Sequence, residues 1–89
     1  MTIYTANVTL GTAAELILPS VHNPQQVVLH NMTKSSNEYI FVGAADVAID
    51  NAIHIDPGEN LYLTIPPGDE LYALSDPSGL EVGIIATRK

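Results

Sequence analysis

The sequence predicts an all-β chain, a small antiparallel β-sandwich or jelly roll of about seven to eight strands. Three observations predict it. The apolar runs, such as Leu61-Tyr62-Leu63-Thr64-Ile65 and Leu80-Glu81-Val82-Gly83-Ile84, are too short for helices. They alternate between two faces, as a half-buried strand does. Each stops where the backbone is made to turn, at Asp56-Pro57-Gly58-Glu59, Pro66-Pro67-Gly68-Asp69 and Asp76-Pro77-Ser78-Gly79.

Taken in order, the first strand runs from Thr5 to Leu10, with Ala6, Val8 and Leu10 on one face and Asn7 and Thr9 on the other. Gly11 ends it. Ala14 to Pro19 follows with Leu16 and Leu18 pointing inward, so that Ile17 faces a neighbouring subunit or a second apolar layer. Pro19 and Pro24 break the pairing, because neither can donate to a ladder. Gln25 to Met32 resumes with Val27 and Leu29 inward, and Thr33 to Asn37 is a polar turn. Glu38 to Gly43 carries Ile40 and Val42 on the core face and Tyr39 and Phe41 on the opposite one. That aromatic pair marks either a contact surface or a site covered by the following loop. Ala44 to Asn51 reads as a crossing loop with at most a short strand, or a single helical turn from Ala44 to Ala48. Beyond it, Ile53 and Ile55 share a face. Gly58 is suited to a positive φ after Pro57, and Leu61, Leu63 and Ile65 rejoin the core. Leu71 and Ala73 continue inward, and Leu80, Val82 and Ile84 close the core with Glu81 and Gly83 outside.

All 89 residues make one domain, with a flexible arm expected at 1–4 and a frayed end at 87–89. At the usual stability per residue such a fold is worth roughly 4 to 13 kcal/mol. With 46% hydrophobic and only 15% charged residues, the chain is apolar for its size, which points to additional surface buried by self-association. There is no cysteine, so neither a disulfide framework nor a thiolate metal site is available. The N-terminal residues have no basic region followed by an apolar core, and no apolar run approaches membrane-spanning length, so the chain reads as soluble and unsecreted. The triplets Asn7-Val8-Thr9 and Asn31-Met32-Thr33 match a glycosylation acceptor, but in that setting they read as accidents of a Thr- and Asn-rich β sequence. The net charge of −7, with Lys34, Arg88 and Lys89 the only bases, argues against nucleic acid and anionic membrane as partners.

No constellation suggests catalysis or a cofactor. His22, His30 and His54 have no ligand spacing and read as surface or interface residues rather than metal ligands; His30 and His54 fall at outward positions. Asp46, Asp50, Asp56, Asp69 and Asp76 are scattered and mostly serve turns, with no calcium-loop pattern. The serines lack a nucleophile-elbow context. The chain is therefore expected not to be an enzyme. Its candidate contact residues are Tyr39, Phe41, Tyr62 and Tyr72, all at outward positions. They pack against a sister subunit or, alternatively, form a stacking platform for a glycan on one sheet.

The order Val8-Thr9-Leu10-Gly11-Thr12, Val27-Val28-Leu29-His30-Asn31, Tyr39-Ile40-Phe41-Val42-Gly43, Ile53-His54-Ile55-Asp56-Pro57-Gly58-Glu59 and Leu71-Tyr72-Ala73-Leu74-Ser75 resembles small β-sandwich structural proteins of tailed bacteriophages. The resemblance spans nearly the whole chain. It departs at Ala44 to Asn51, which is more apolar than the Gly- and Ser-rich loop of such proteins. What it implies is a noncatalytic virion component made in the host cytoplasm. The leading form is a capsid decoration or cement protein that self-associates, with a trimer favoured, and binds the major capsid protein on the outside of the shell. The alternative is a carbohydrate- or receptor-binding accessory module of a tail or head fibre.

Overall fold

The computed structural model describes residues 2–48 and 53–88. Eight strands occur among them: β1 (Thr2–Thr9), β2 (Glu15–Leu18), β3 (Gln25–Asn31), β4 (Tyr39–Gly43), β5 (Ile53–Ile55), β6 (Asn60–Ile65), β7 (Leu71–Asp76) and β8 (Glu81–Arg88). They form two four-stranded antiparallel sheets in the orders β1-β8-β3-β6 and β2-β7-β4-β5. Consecutive strands alternate between the sheets at β1–β2, β2–β3 and β3–β4, and again from β5 to β8. The chain thus winds around one core as a jelly roll. The first sheet is the longer, because its strands reach eight residues where those of the second reach six.

The alternation read from sequence sets the inward faces. Val27 and Leu29 of β3 and Val82, Ile84 and Ala86 of β8 meet Leu18, Ile40, Val42, Ile55, Leu71 and Ala73 of the second sheet, and all are buried. Leu10 and Leu80 close one end, where the Leu10 N–H donates to the Leu80 carbonyl at 2.8 Å. Each fully buried Leu or Ile contributes about 1.5–3 kcal/mol. The turn at Asp56-Pro57-Gly58 behaves as expected, with Gly58 at φ 75, a conformation that costs a side-chain-bearing residue energy.

Two expectations are corrected. In β2 it is Ile17 and Leu18 that are buried while Leu16 is exposed. A bulge between Leu16 and Leu18 inserts a residue into the β2–β7 ladder, which shifts the alternation and brings two successive side chains inward. The ends expected to be an arm (1–4) and a frayed tail (87–89) are, over their described residues, one ladder: Thr2, Ile3 and Tyr4 pair with Arg88, Thr87 and Ala86. Arg88 holds them together, with Nε donating to Gln25 Oε1 at 2.7 Å and the guanidinium 4.6 Å from the centre of the Tyr4 ring. Met1 and Lys89 lie outside the described residues. The crossing segment from Ala44 is a turn closed by the Val47 N–H on the Ala44 carbonyl at 3.0 Å; its remainder, Ile49 to Asn51, also lies outside the described residues.

Polar residues tie the layers. Asn31 ends the inward series of β3 and is 0% exposed. Its Nδ2 donates to the carbonyls of Glu38 and Ile55, both at 2.9 Å, and its Oδ1 accepts from the Thr33 N–H at 3.1 Å. One side chain of the first sheet thereby satisfies backbone groups at the start of β4 and the end of β5 in the second. Burial also removes Asn31 as a glycan acceptor. Ser75, likewise buried, places Oγ 2.8 Å from the Pro77 carbonyl.

Candidate interaction surface

The outward residues of the two sheets are chemically unlike. On the first sheet, backbone pairing lines up Thr5, Ile85, Val28 and Tyr62 in one row across all four strands. The row on one side is Ile3, Thr87, Gln26 and Thr64; on the other it is Asn7, Gly83, His30 and Asn60. Thr9, Glu81 and Met32 finish that end, with the Met32 N–H donating to the Glu81 carbonyl at 3.1 Å. In a chain with 10 acidic residues, Glu81 is the one carboxylate among these outward positions, and no Lys or Arg is among them. Among the described residues, four of the six large hydrophobic side chains left exposed lie here: Ile3, Met32, Tyr62 and Ile85, with Tyr62 70% exposed.

The face has relief. Val28 and Ile85 form a ridge with an open depression on each side. One, of about 410 Å³, extends toward Tyr62, Thr64 and Thr87. The other, of about 400 Å³, centres on Gly83 and is bordered by Asn7, His30 and Met32. Gly83 leaves the second depression open, since a Cβ there would sit 3.4 Å from Met32 Sδ and 3.5 Å from Asn7 Oδ1. His30 Nδ1 lies 2.6 Å from Asn60 Oδ1, so the imidazole is held across β3 and β6 at the rim.

The outward side of the second sheet is closed by the chain itself. Phe41 pairs with Leu74 on one side and His54 on the other, and Val47 folds over it from the loop after β4. Phe41, Val47 and Leu74 are buried, with Phe41 at 7% exposure and Ala14, Tyr39 and Tyr72 packed around them. Gly43 permits the close fold-back, because a Cβ there would stand 3.3 Å from Val47 Cβ. His54 stacks edge-on to Tyr39 at 5.1 Å and places Nε2 3.0 Å from Asp56 Oδ1. Tyr72 Oη donates to Glu70 Oε1 at 3.3 Å. The negative charge of Glu70, chiefly by Coulomb repulsion of a phenolate, raises the Tyr72 pKa above the ordinary tyrosine value.

The four aromatic residues singled out in the sequence are therefore separated. Tyr39, Phe41 and Tyr72 belong to the second sheet and Tyr62 to the first, on opposite sides of the sandwich, so they do not make the single stacking platform a glycan would use. Of the two readings open for Phe41, the covering loop is the one found. Sequence reasoning did not assemble Ile3, Val28, Met32 and Ile85 with Tyr62; the outward apolar positions in neighbouring strands were the available signal. The three histidines are dispersed, His30 and His54 on opposite faces and His22 in the loop between β2 and β3. Among the described residues no three His, Asp or Glu side chains converge as a metal site would require.

Comparison with known proteins gives the fold a precedent. No family model matches the chain, and no curated protein is similar to it in sequence. Among solved structures, it is similar to a protein of the Bacillus endospore appendages, a family of disulfide-linked pili. The two are 13% identical, with a TM-score of 0.62 over 96% of this chain and 80% of the other. Two structures of a pentameric capsid protein from metagenomic phage sequences also align. One is 17% identical with a TM-score of 0.46, over 97% of this chain and 67% of that one. The other is 14% identical with a TM-score of 0.44, over 94% of this chain and 60% of that one. At these identities the likeness to the appendage protein establishes a shared fold. Disulfide linkage, which names that family, is not available to a chain without cysteine.

Proposed function

We propose that the protein is a noncatalytic structural subunit of a phage particle, a decoration protein that self-associates and docks on the outside of the capsid. The observation that carries this reading is the outward face of the β1-β8-β3-β6 sheet, from which a strongly acidic chain has withheld all but one carboxylate while leaving Ile3, Met32, Tyr62 and Ile85 exposed. Charge depletion around exposed aromatic and aliphatic side chains is the composition of an interface core. The jelly roll suits the role, because it presents four paired strands as one continuous outward platform. The sequence resemblance supplies the particle. The glycan reading loses its main support with the separation of the four aromatics.

Gold labelling of purified particles with an antibody to this protein tests the assignment. Regular label over the head is expected, and Ile85→Glu, which places a charge at the centre of the face without disturbing the core, should abolish it while the variant stays folded. Particles without label, or label unchanged in Ile85→Glu, would overturn the reading.

A further inference from the structure

The two edges of the first sheet are unlike those of the second. In the second sheet the edge strands are β2, four residues long, bulged and carrying Glu15, and β5, three residues long and followed by Asp56-Pro57. Shortness, a bulge, charge and proline are the devices by which proteins keep a sheet edge from pairing with another chain. The first sheet has none of them within its edge strands, although Pro66-Pro67 follows β6. Its edge strands are β1, Thr-Ile-Tyr-Thr-Ala-Asn-Val-Thr, and β6, Asn-Leu-Tyr-Leu-Thr-Ile, eight and six residues without a charge or a proline. Their pairing with β8 and β3 runs without a register shift. Among the described residues, β1 pairs only with β8 and β6 only with β3, so one side of each ladder is open.

A second observation falls on the same two strands. The partly buried hydrophobic residues that pack against the main core are Tyr4, Val8, Leu61 and Leu63, two from β1 and two from β6. Leu18 and Ile55, on the edge strands of the second sheet, are buried, although Ile53 at the other end of β5 is exposed; on the edge strands of the first sheet the residues packed against the core are only partly covered along both edges.

From these observations we infer that copies of this chain join edge to edge, β6 of one copy pairing antiparallel with β1 of the next, so that the first sheet continues from subunit to subunit. Strand direction permits it. Successive strands in the order β1-β8-β3-β6 are antiparallel, so β1 and β6 run in opposite senses. A copy set beside β6 in the same orientation presents β1 antiparallel to it, and the alternation continues unbroken. The inward faces then place Tyr4 and Val8 of one copy beside Leu61 and Leu63 of the other, carrying the core across the seam. A two-fold pairing of β1 with β1 would instead leave both β6 edges open. The head-to-tail contact is the single contact that covers both edges of every copy, and such a contact closes only as a ring of three or more or extends as a filament. The inference rests on the reading of the chain as an assembling subunit and is independent of what the assembly coats.

The absence of cysteine makes the test direct. Thr5→Cys on β1 is mixed with a differently tagged chain bearing Asn60→Cys, Tyr62→Cys or Thr64→Cys on β6, and treated with a short bis-maleimide. All four positions are exposed on the outward face, and the pleat keeps outward positions opposite one another, so a register within two residues brings one pair into reach. Cross-linking between the two tags is expected, with Thr5→Cys alone giving none. Thr5→Lys, which charges the edge, should shift the chain to monomer in sedimentation velocity with its circular dichroism unchanged. Cross-linking of Thr5→Cys to itself, or no cross-linking between β1 and β6 at any of the three positions, would overturn the inference. Failure here with intact particle labelling removes the edge contact alone; edge pairing without labelling removes the capsid assignment alone.

Discussion

The two sheets follow the same alternation but finish their outward sides differently. On the second, Val47 returns over Phe41 and Leu74, Gly43 makes room for it, and the edge strands are short, bulged or flanked by charge. On the first, Tyr62, Ile85, Met32 and Ile3 stand exposed, acids are nearly absent, and both edges are long and bare. An apolar outward face is a cost to an isolated domain. The chain covers Phe41 and Leu74 internally on one side, with Leu16 left exposed there, and covers none of the four exposed side chains on the other, so the less covered side is where assembly is to be sought.

The largest expected effect comes from the residue that links the two sides. Asn31→Ala leaves the Glu38 and Ile55 carbonyls and the Thr33 N–H without their partner, and should cost on the order of 3 kcal/mol, read as a lower urea midpoint. A loss within experimental error would mean that the sheets are held together by their apolar contacts alone. The next effect separates the faces. Val47→Ala should cost about 1–2 kcal/mol, because it opens the lid over Phe41 and Leu74. Ile85→Ala and Tyr62→Ala should each change the stability of the dilute chain by less than about 0.5 kcal/mol while weakening self-association or particle binding. Equal destabilisation by Val47→Ala and Ile85→Ala would erase the distinction drawn between the sheets.

How much of this was legible in the sequence follows from what alternation can encode. It separated inward from outward for β1, β3, β7 and β8, as Val27 with Leu29 and Val82 with Ile84 attest, since those strands keep their period. It failed at Ile17, where a bulge interrupts the period without a glycine or proline to announce it. It placed Tyr39, Phe41, Tyr62 and Tyr72 outward but not on which sheet, because a face is a property of one strand and a neighbour is a property of the topology. The long reach from β1 to β8 leaves no local trace. Asn31 was visible only as the polar end of the series Gln25, Val27, Leu29, Asn31; its partners are distant backbone carbonyls, which carry no side-chain signature.

The smallest expected effect sharpens the comparison at the level of single tyrosines. Tyr62 has Asn60 and Thr64 as its outward neighbours along β6, whereas Tyr72 has Glu70, whose carboxylate accepts its hydroxyl proton at 3.3 Å. A phenolate beside that charge is disfavoured, so Tyr72 retains its proton to higher pH than an unfolded tyrosine. Any stability carried by the pair is accordingly present below the unfolded tyrosine value and is lost as pH rises through the raised folded one. Glu70→Gln should move the Tyr72 titration down, toward the ordinary value, in phenolate absorbance taken as a difference from the same background with Tyr72→Phe; added salt should do the same in part by screening the repulsion. No displacement on either treatment would dissolve the pair. The case for the first sheet as the docking side would be untouched, since it rests on Ile85, Tyr62 and its open edges.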